Sequence, residues 1–131
     1  MNTKLNQILA EISAGELLDK ITILEIKREK ITDSKKLKDI NKELSSLTKT
    51  SDEKIPDKKR IENLVSNLKK INLKLWDIEE NKRRAEKEKK FDETFIQLSR
   101  DVYKSNDERA KIKLKINEIL GSNIKEVKSH Y

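Results

Sequence analysis

The sequence contains no cysteine, only two glycines and only one proline. The lack of cysteine excludes disulfides and thiolate metal sites, and it fits a reducing compartment. So little glycine and proline argues against a β-sandwich, a β-barrel or a collagen-like chain. No apolar run reaches the roughly 18 residues that span a bilayer. The start, MNTKLNQILAEIS, lacks the length and cleavage pattern of a signal peptide, so we expect a cytoplasmic protein.

Charged residues are abundant instead, at 42% of the 131 residues, against 34% hydrophobic residues. Elongated helices with narrow apolar stripes fit this balance better than a compact globule does. The net charge is +7, and residues 56–90 carry much of the excess, with 12 basic and 7 acidic side chains. Such an excess can attract phosphate or nucleic acid. It is also ordinary for lysine-rich helix faces in water, and the basic stretch 82–90 contains carboxylates and lacks aromatic platforms, so weak nucleic-acid binding is our third hypothesis.

The most apolar stretch, Ile12 to Ile31, opens with a helix-start signal. Ser13 and Glu16 form a capping-box pattern, and Ile12 with Leu17 forms the hydrophobic staple around it. Apolar residues follow on two sides of this helix, which is typical of a helix buried between neighbours, so we expect it at the centre of the fold. The main stripe is Leu17, Leu18, Ile21, Leu24 and Ile31, and the second patch is Ile23 and Ile26.

A second apolar pattern predicts one long helix. Residues 61–78 repeat apolar side chains at alternating spacings of 3 and 4, a heptad seam that turns polar at Lys82. Pro56 suits the start of this helix, and Asn72 and Trp76 lie on a second stripe that argues for a second packing partner. The seam is Ile61, Leu64, Leu68, Ile71, Leu75 and Ile78.

The predicted fold is all-α: one domain, residues 1–131, forming an antiparallel bundle of five main helices. Asp33 or Ser34 and Asp92 are candidate N-caps, and Ser105 with Glu108 repeats the capping-box pattern, which predicts a fresh helix start there. The polar run Thr48–Lys54 is predicted to be a loop. The predicted helices cover 13–31, 34–50, 57–90, 92–104 and 106–120, between an arm at 1–11 and a tail at 121–131.

Several charged residues fall on stripes that should be dry. Glu25 and Arg28 lie within roughly 40° of Ile21 on the first helix, at about 100° per residue. Buried charges are costly unless they are paired, so these groups should either pair or line a polar cleft. We favour pairing; the alternative is a cleft for an anionic ligand, held by the cations and served by the carboxylates as general acid or base. The candidate cleft residues are Glu25, Arg28, Glu79, Lys82, Glu108 and Arg109.

Other kinds of site have little support. The single histidine, His130, is the penultimate residue, no motif for a metal, a nucleotide or a nucleophile is present, and we expect no metal and no cofactor. Gly15 would allow close approach of a partner helix, which is a packing role. Trp76, the only tryptophan, is assigned to core packing or a dimer interface rather than to ligand stacking.

Three segments resemble a known group in their order and spacing: ISAGELLDKITILEIK (12–27), NLKLWDIE (72–79) and FDETFIQLSRDVYKSNDERAKIKLKIN (91–117). The chain resembles a small uncharacterised family of bacterial and phage proteins that is catalogued only as a domain of unknown function. The resemblance covers nearly the whole chain. It implies no established activity, and no catalytic residue can be carried over from it.

These observations leave the biochemical function unknown and support two main hypotheses. The first is a non-enzymatic helical interaction or scaffold protein that acts as a homodimer, because the long helix has two stripes and outlasts its partners. The second is a small helical-bundle enzyme or binder for a phosphorylated or carboxylated metabolite, which would use the charged cleft.

Overall fold

The computed structural model of the protein describes residues 4–128, in which every regular element is helical. The all-α class predicted from composition and periodicity is therefore confirmed. In chain order the elements are α1 (Ala14–Lys30), α2 (Ser34–Lys54), a 3₁₀ turn (Lys59–Ile61), α3 (Glu62–Glu88) and α4 (Glu93–Leu120).

The prediction of five helices is wrong for the described residues, which form four α-helices. The helices predicted at 92–104 and 106–120 are one continuous helix, α4, and Ser105 is buried in its interior. The S-x-x-E pattern at Ser105–Glu108 is not a helix start, because no glycine or proline interrupts the chain there. The apolar seam also runs through the site without a change of phase.

Two other boundaries differ from the prediction. The run Thr48–Lys54 is helical rather than a loop, since nothing in it breaks a helix before Pro56 and Ser51 is buried. The third helix begins at Glu62, after the 3₁₀ turn, rather than at residue 57. It ends at Glu88, where Lys89 adopts a left-handed conformation (φ 58°) and donates to the last turn.

Three of the predicted helix caps are present. The Ser13 hydroxyl accepts from the Glu16 backbone N–H at 3.1 Å, and Asp33 and Asp92 cap α2 and α4 in the same way. Only half of the predicted capping box forms, because the Glu16 carboxylate instead accepts from Lys113 at 2.5 Å. The first helix is thus tied to α4 from its first turn.

Helix α1 contacts all three of the other α-helices, in agreement with its predicted central position. Its buried leucines enter two apolar clusters, one shared with α3 and α4 and a smaller one shared with α2. Burial of such side chains is the main favourable term in folding. The larger cluster is Leu17, Leu18, Ile55, Ile61, Leu68, Ile71 and Ile116, and the smaller is Leu24, Ile40 and Leu44.

The predicted arm and tail lie partly within the described chain. Residues 4–12 and 122–128 contain no helix, and the remainder of both segments, with His130, lies outside the described residues. Among the described helices, none is both long enough and apolar enough to cross a membrane.

Gly15 marks the closest approach of α1 to α4. A Cβ atom built on Gly15 would lie 2.5 Å from the backbone oxygen of Lys113 and 2.9 Å from Oδ1 of Asn117. Asn117 Oδ1 also accepts from the Gly15 backbone N–H at 2.6 Å. The predicted packing role of Gly15 is therefore confirmed, and α4 is the partner helix.

We expect Gly15→Ala to lower the free energy of unfolding by about 3 kcal/mol, because the added methyl would meet a backbone atom that cannot move alone. Urea unfolding followed by circular dichroism measures this change. Gly121→Ala is the matched control. Nothing lies within 4 Å of its new Cβ, and only the left-handed backbone (φ 63°) resists it, at a cost of about 1 kcal/mol. A Gly15→Ala effect no larger than that of the control would contradict the close-packing account.

Candidate functional site

The carboxylate of Asp19 is buried where α1, α3 and α4 meet. Arg109 donates to both of its oxygens, from Nε at 2.9 Å and from Nη2 at 2.5 Å. Asn72 donates to the same carboxylate at 2.9 Å and to the Thr22 hydroxyl at 3.0 Å. The Asp19 side chain is 1% exposed, whereas that of Arg109 is 28% exposed. The pair is therefore a bidentate ion pair, with its carboxylate in the core and its guanidinium at the edge.

Helical spacing positions each member of this cluster. Gly15, Asp19, Thr22 and Ile26 recur on α1 at spacings of 4, 3 and 4, and all four are buried. On α4, Arg109 continues an alternating 3 and 4 seam whose other members are mostly apolar. The α4 seam is Phe95, Leu98, Val102, Ser105, Arg109, Ile112, Ile116 and Ile119.

Electrostatics hold Arg109 in its charged form. Its hydrogen bonds to Asp19 raise the pKa of Arg109 above its usual range, although burial alone would lower it. The negative charges of Asp19 and Glu16 act in the same direction as the hydrogen bonds. Lys113 adds a second cation, 2.5 Å from Glu16 and 3.9 Å from Asp19. The two cations and two carboxylates thus compensate one another, as charges withdrawn from water must.

The tail after α4 completes the cap of α1. Ser122 Oγ accepts from the Ala14 backbone N–H at 3.1 Å, and Glu126 accepts from Ser13 Oγ at 2.5 Å and from Asn117 Nδ2 at 3.1 Å. Burial alone would raise the pKa of Glu126, but these hydrogen bonds, one from its own backbone and the charge of Lys113 together lower it. A carboxylate near a helix N-terminus is also favoured by the helix dipole.

A cavity of about 460 Å³ opens beside the Asp19–Arg109 pair, between α1, α3 and α4. Apolar side chains form part of its wall, and Trp76 joins them from α3. Charged side chains of both signs lie among them, which is the composition of a small-molecule site more than of a dry core. The lining residues are Ile23, Ile26, Asn72, Leu75, Trp76, Glu79, Glu80, Arg83 and Arg109.

Of the six residues predicted to form a cleft, the structure brings two to one cavity. Glu79 and Arg109 line the cavity just described, whereas Arg28 is exposed and lines a different cavity, between α1 and α2. Glu108 is exposed, and Glu25 and Lys82 are half-buried. None of these last three has a salt bridge or side-chain hydrogen bond within residues 4–128. Asp19 is the partner of Arg109, and it was not among the predicted residues.

Sequence reasoning missed Asp19, Thr22 and Lys113. Two patterns in the sequence nevertheless point to members of this cluster, one to Asp19 and Thr22 and the other to Arg109. The 4-3-4 stripe on α1 contains two polar residues between Gly15 and Ile26. Arg109 lies three residues before Ile112 on the α4 seam, and it was already among the predicted cleft residues. The predicted break at Ser105 placed it near a helix start and so hid its position in the middle of one continuous seam.

The α3–α4 pair extends beyond the part that α1 covers. From Glu79 to Lys104, across the end of α3 and the first part of α4, no residue is buried. Apolar side chains are nevertheless present there, with Phe91 53%, Ile96 41% and Tyr103 56% exposed. Phe91 and Phe95 stack edge to face, with ring centroids 5.3 Å apart. We call residues 79–104 the projection.

Among residues 4–128, no group of three or more His, Cys, Asp and Glu side chains could hold a metal ion.

The fold and the site define a small all-helical protein with a compensated charge cluster at a three-helix junction and a two-helix projection. A family model described as "Family of unknown function (DUF6165)" matches residues 8–131, and the chain belongs to that family. The membership agrees with the resemblance to a domain of unknown function. No curated protein and no solved structure matches the chain significantly.

We expect Arg109→Met to lower the free energy of unfolding by about 3 kcal/mol, because it leaves the Asp19 carboxylate buried without its ion-pair partner. The loss sits at the low end of the usual range since Arg109 is partly exposed. Adding Asp19→Asn should recover most of it, because a neutral amide still accepts from Asn72. Chemical unfolding of the two variants gives both values. Equal losses in the single and double variants would show that the unpaired charge is not the cause.

Proposed function

We propose that the protein is a non-enzymatic helical interaction protein that forms a homodimer through its projection and acts in the cytoplasm. The observation that carries this proposal is the absence of any buried residue between Glu79 and Lys104, despite the apolar side chains in that range. Within residues 79–88 of α3 only Ala85 is apolar, so α3 alone cannot bury the apolar stripe of α4. A second copy of the projection would complete a four-helix bundle, whose centre could bury that stripe.

Charge supports a second copy as the partner. The end of α3, residues 82–90, carries six basic and two acidic side chains, whereas residues 91–101 carry three acidic and one basic. When two projections pack side by side with their turns (residues 89–92) at the same end, the basic end of one α3 lies against the acidic start of the other α4. Such complementarity favours one pairing geometry over others.

The seams of α3 and α4 support a coiled-coil arrangement of the projection. Both helices repeat seam positions at alternating spacings of 3 and 4, and residues 89–92 join them. Lys89 reverses the chain there, which supports antiparallel packing. The contacts between α1 and α4 also support antiparallel packing. Gly15 contacts Asn117, whereas Asp19, which comes later in α1, contacts Arg109, which comes earlier in α4.

Multi-angle light scattering of the purified chain tests the proposal. We expect a dimer at micromolar concentration, with a dissociation constant that rises with salt. Ile96→Glu with Tyr103→Glu should raise the dissociation constant of the dimer by about 100-fold or more, because two glutamate carboxylates would lose their water in the interface.

Leu114→Glu is the matched control for that experiment. Leu114 lies on the same helix and is 41% exposed, like Ile96, but it lies outside the projection. Its replacement should leave the dimer intact. A wild-type chain that stays monomeric at 100 μM, or a dimer equally weakened by the control, would refute the proposal.

The second candidate function is binding of an anionic metabolite in the cavity that Trp76 lines. The observation that favours it is the placement of Arg83 and Arg109 around one cavity with apolar walls and Glu79. Asp19 orients Arg109 without covering the cavity, as the partial exposure of the guanidinium indicates. An aromatic or aliphatic anion would place its body on Trp76 and its charge near Arg83.

Fluorescence of Trp76, the only tryptophan, reports on this cavity directly. We expect phenyl phosphate and benzoate to change it saturably, and Arg83→Gln to weaken binding by about tenfold, the effect of one lost charge-assisted hydrogen bond. Arg84→Gln is the control, because Arg84 neighbours Arg83 on α3 but lines another cavity. No saturable change with either anion at millimolar concentration would exclude this candidate.

A further inference from the structure

The N-terminal arm, residues 4–12, leaves an apolar face uncovered. It has no helix in this structure, and Leu5, Ile8 and Leu9 are 84%, 80% and 84% exposed. Their spacing of i, i+3 and i+4 would place all three on one side of a helical turn. Exposure of three large neighbouring aliphatic side chains is unfavourable in water, so the arm should dock against apolar surface elsewhere.

A groove with apolar walls starts close to the arm. It encloses about 710 Å³ between α4 and the tail, and its apolar wall includes Val102, Tyr103, Ala110, Leu114 and Val127. The tail is held over α4 at two places. Glu126 accepts from Ser13 Oγ and Asn117 Nδ2, and Lys128 forms a 2.6 Å salt bridge with Asp107.

The C-terminal end of the arm lies at one end of this groove. Ser13, which follows the arm, contacts Glu126, and Glu11 within the arm accepts from Asn123 Nδ2 at 2.6 Å. The α4 wall runs from Leu114 back to Val102, roughly 18 Å at 1.5 Å per residue. Eight residues of arm, from Leu5 to Ile12, reach roughly 12 Å as a helix and roughly 26 Å when extended. The helical length keeps Leu5, Ile8 and Leu9 within the length of the wall, whereas full extension would carry Leu5 past Val102.

We propose that the arm folds as an amphipathic turn into the groove between α4 and the tail of the same chain. The same chain is the favoured source, because the short connection through Ser13 gives the arm a high effective concentration at its own groove. The groove meets the projection only at Val102 and Tyr103, so a docked arm and a second copy would share that edge of α4. The arm would thereby act as a reversible cover for an apolar surface of α4.

Paramagnetic relaxation enhancement tests the proposal, and the lack of native cysteine allows a single label. A nitroxide on Lys111→Cys, at the groove wall, should broaden the amide signals of residues 5–9. The same label on Lys87→Cys, near the end of α3, should leave them sharp. Leu5→Ser with Leu9→Ser should abolish the broadening caused by the groove label.

A mixed sample separates docking within one chain from exchange between copies. An isotope-labelled chain without nitroxide is combined with an unlabelled chain that carries the nitroxide on Lys111→Cys. Sharp arm signals in this mixture support docking within one chain. Broadened arm signals in the mixture, or no broadening in the singly labelled protein, would overturn the proposal. Light scattering of the same samples reports the dimer independently.

Discussion

The buried carboxylate of Asp19 is the constraint on which the junction of three helices depends. A carboxylate at 1% exposure requires compensation, and it receives two hydrogen bonds from Arg109 and one from Asn72. Those partners come from α4 and α3, so the charge can be satisfied only when both helices are in place. An apolar contact tolerates a shift along a helix, whereas this bidentate geometry does not. The ion pair therefore selects the register of the helices more than it adds stability.

The close approach of α1 and α4 reinforces that register at its other end. Gly15 has no side chain to separate the helices, and Asn117 uses its amide to bridge the Gly15 backbone to Glu126 of the tail. The relative position of α1, α4 and the tail is thus fixed at this end. At the opposite end, no residue between Glu79 and Lys104 is buried. This contrast is the physical basis for our proposal that the dimer contact lies on the projection.

The sequence predicted the helical class, the central position of α1, the close-approach role of Gly15 and the caps at Ser13, Asp33 and Asp92. These features depend on short-range rules, since a few neighbouring residues are enough to define a cap or an apolar stripe. The break at Ser105 was wrong for a related reason. A four-residue capping pattern is identical in sequence whether its backbone N–H groups are free or already bonded within a helix.

Local patterns by themselves determined where three of the helices begin and which faces are apolar, and they predicted that Arg109 either pairs with an opposite charge or lines a cleft. They did not determine the identity of that partner. Asp19 lies 90 residues away, and a charge on a stripe can pair with any opposite charge that the fold brings near. Only the tertiary structure decided that Arg109 meets Asp19, that Glu79 shares its cavity and that Arg28 lies elsewhere. The physical reason is that pairing of buried charges is a property of packed surfaces, which depend on how whole helices cross.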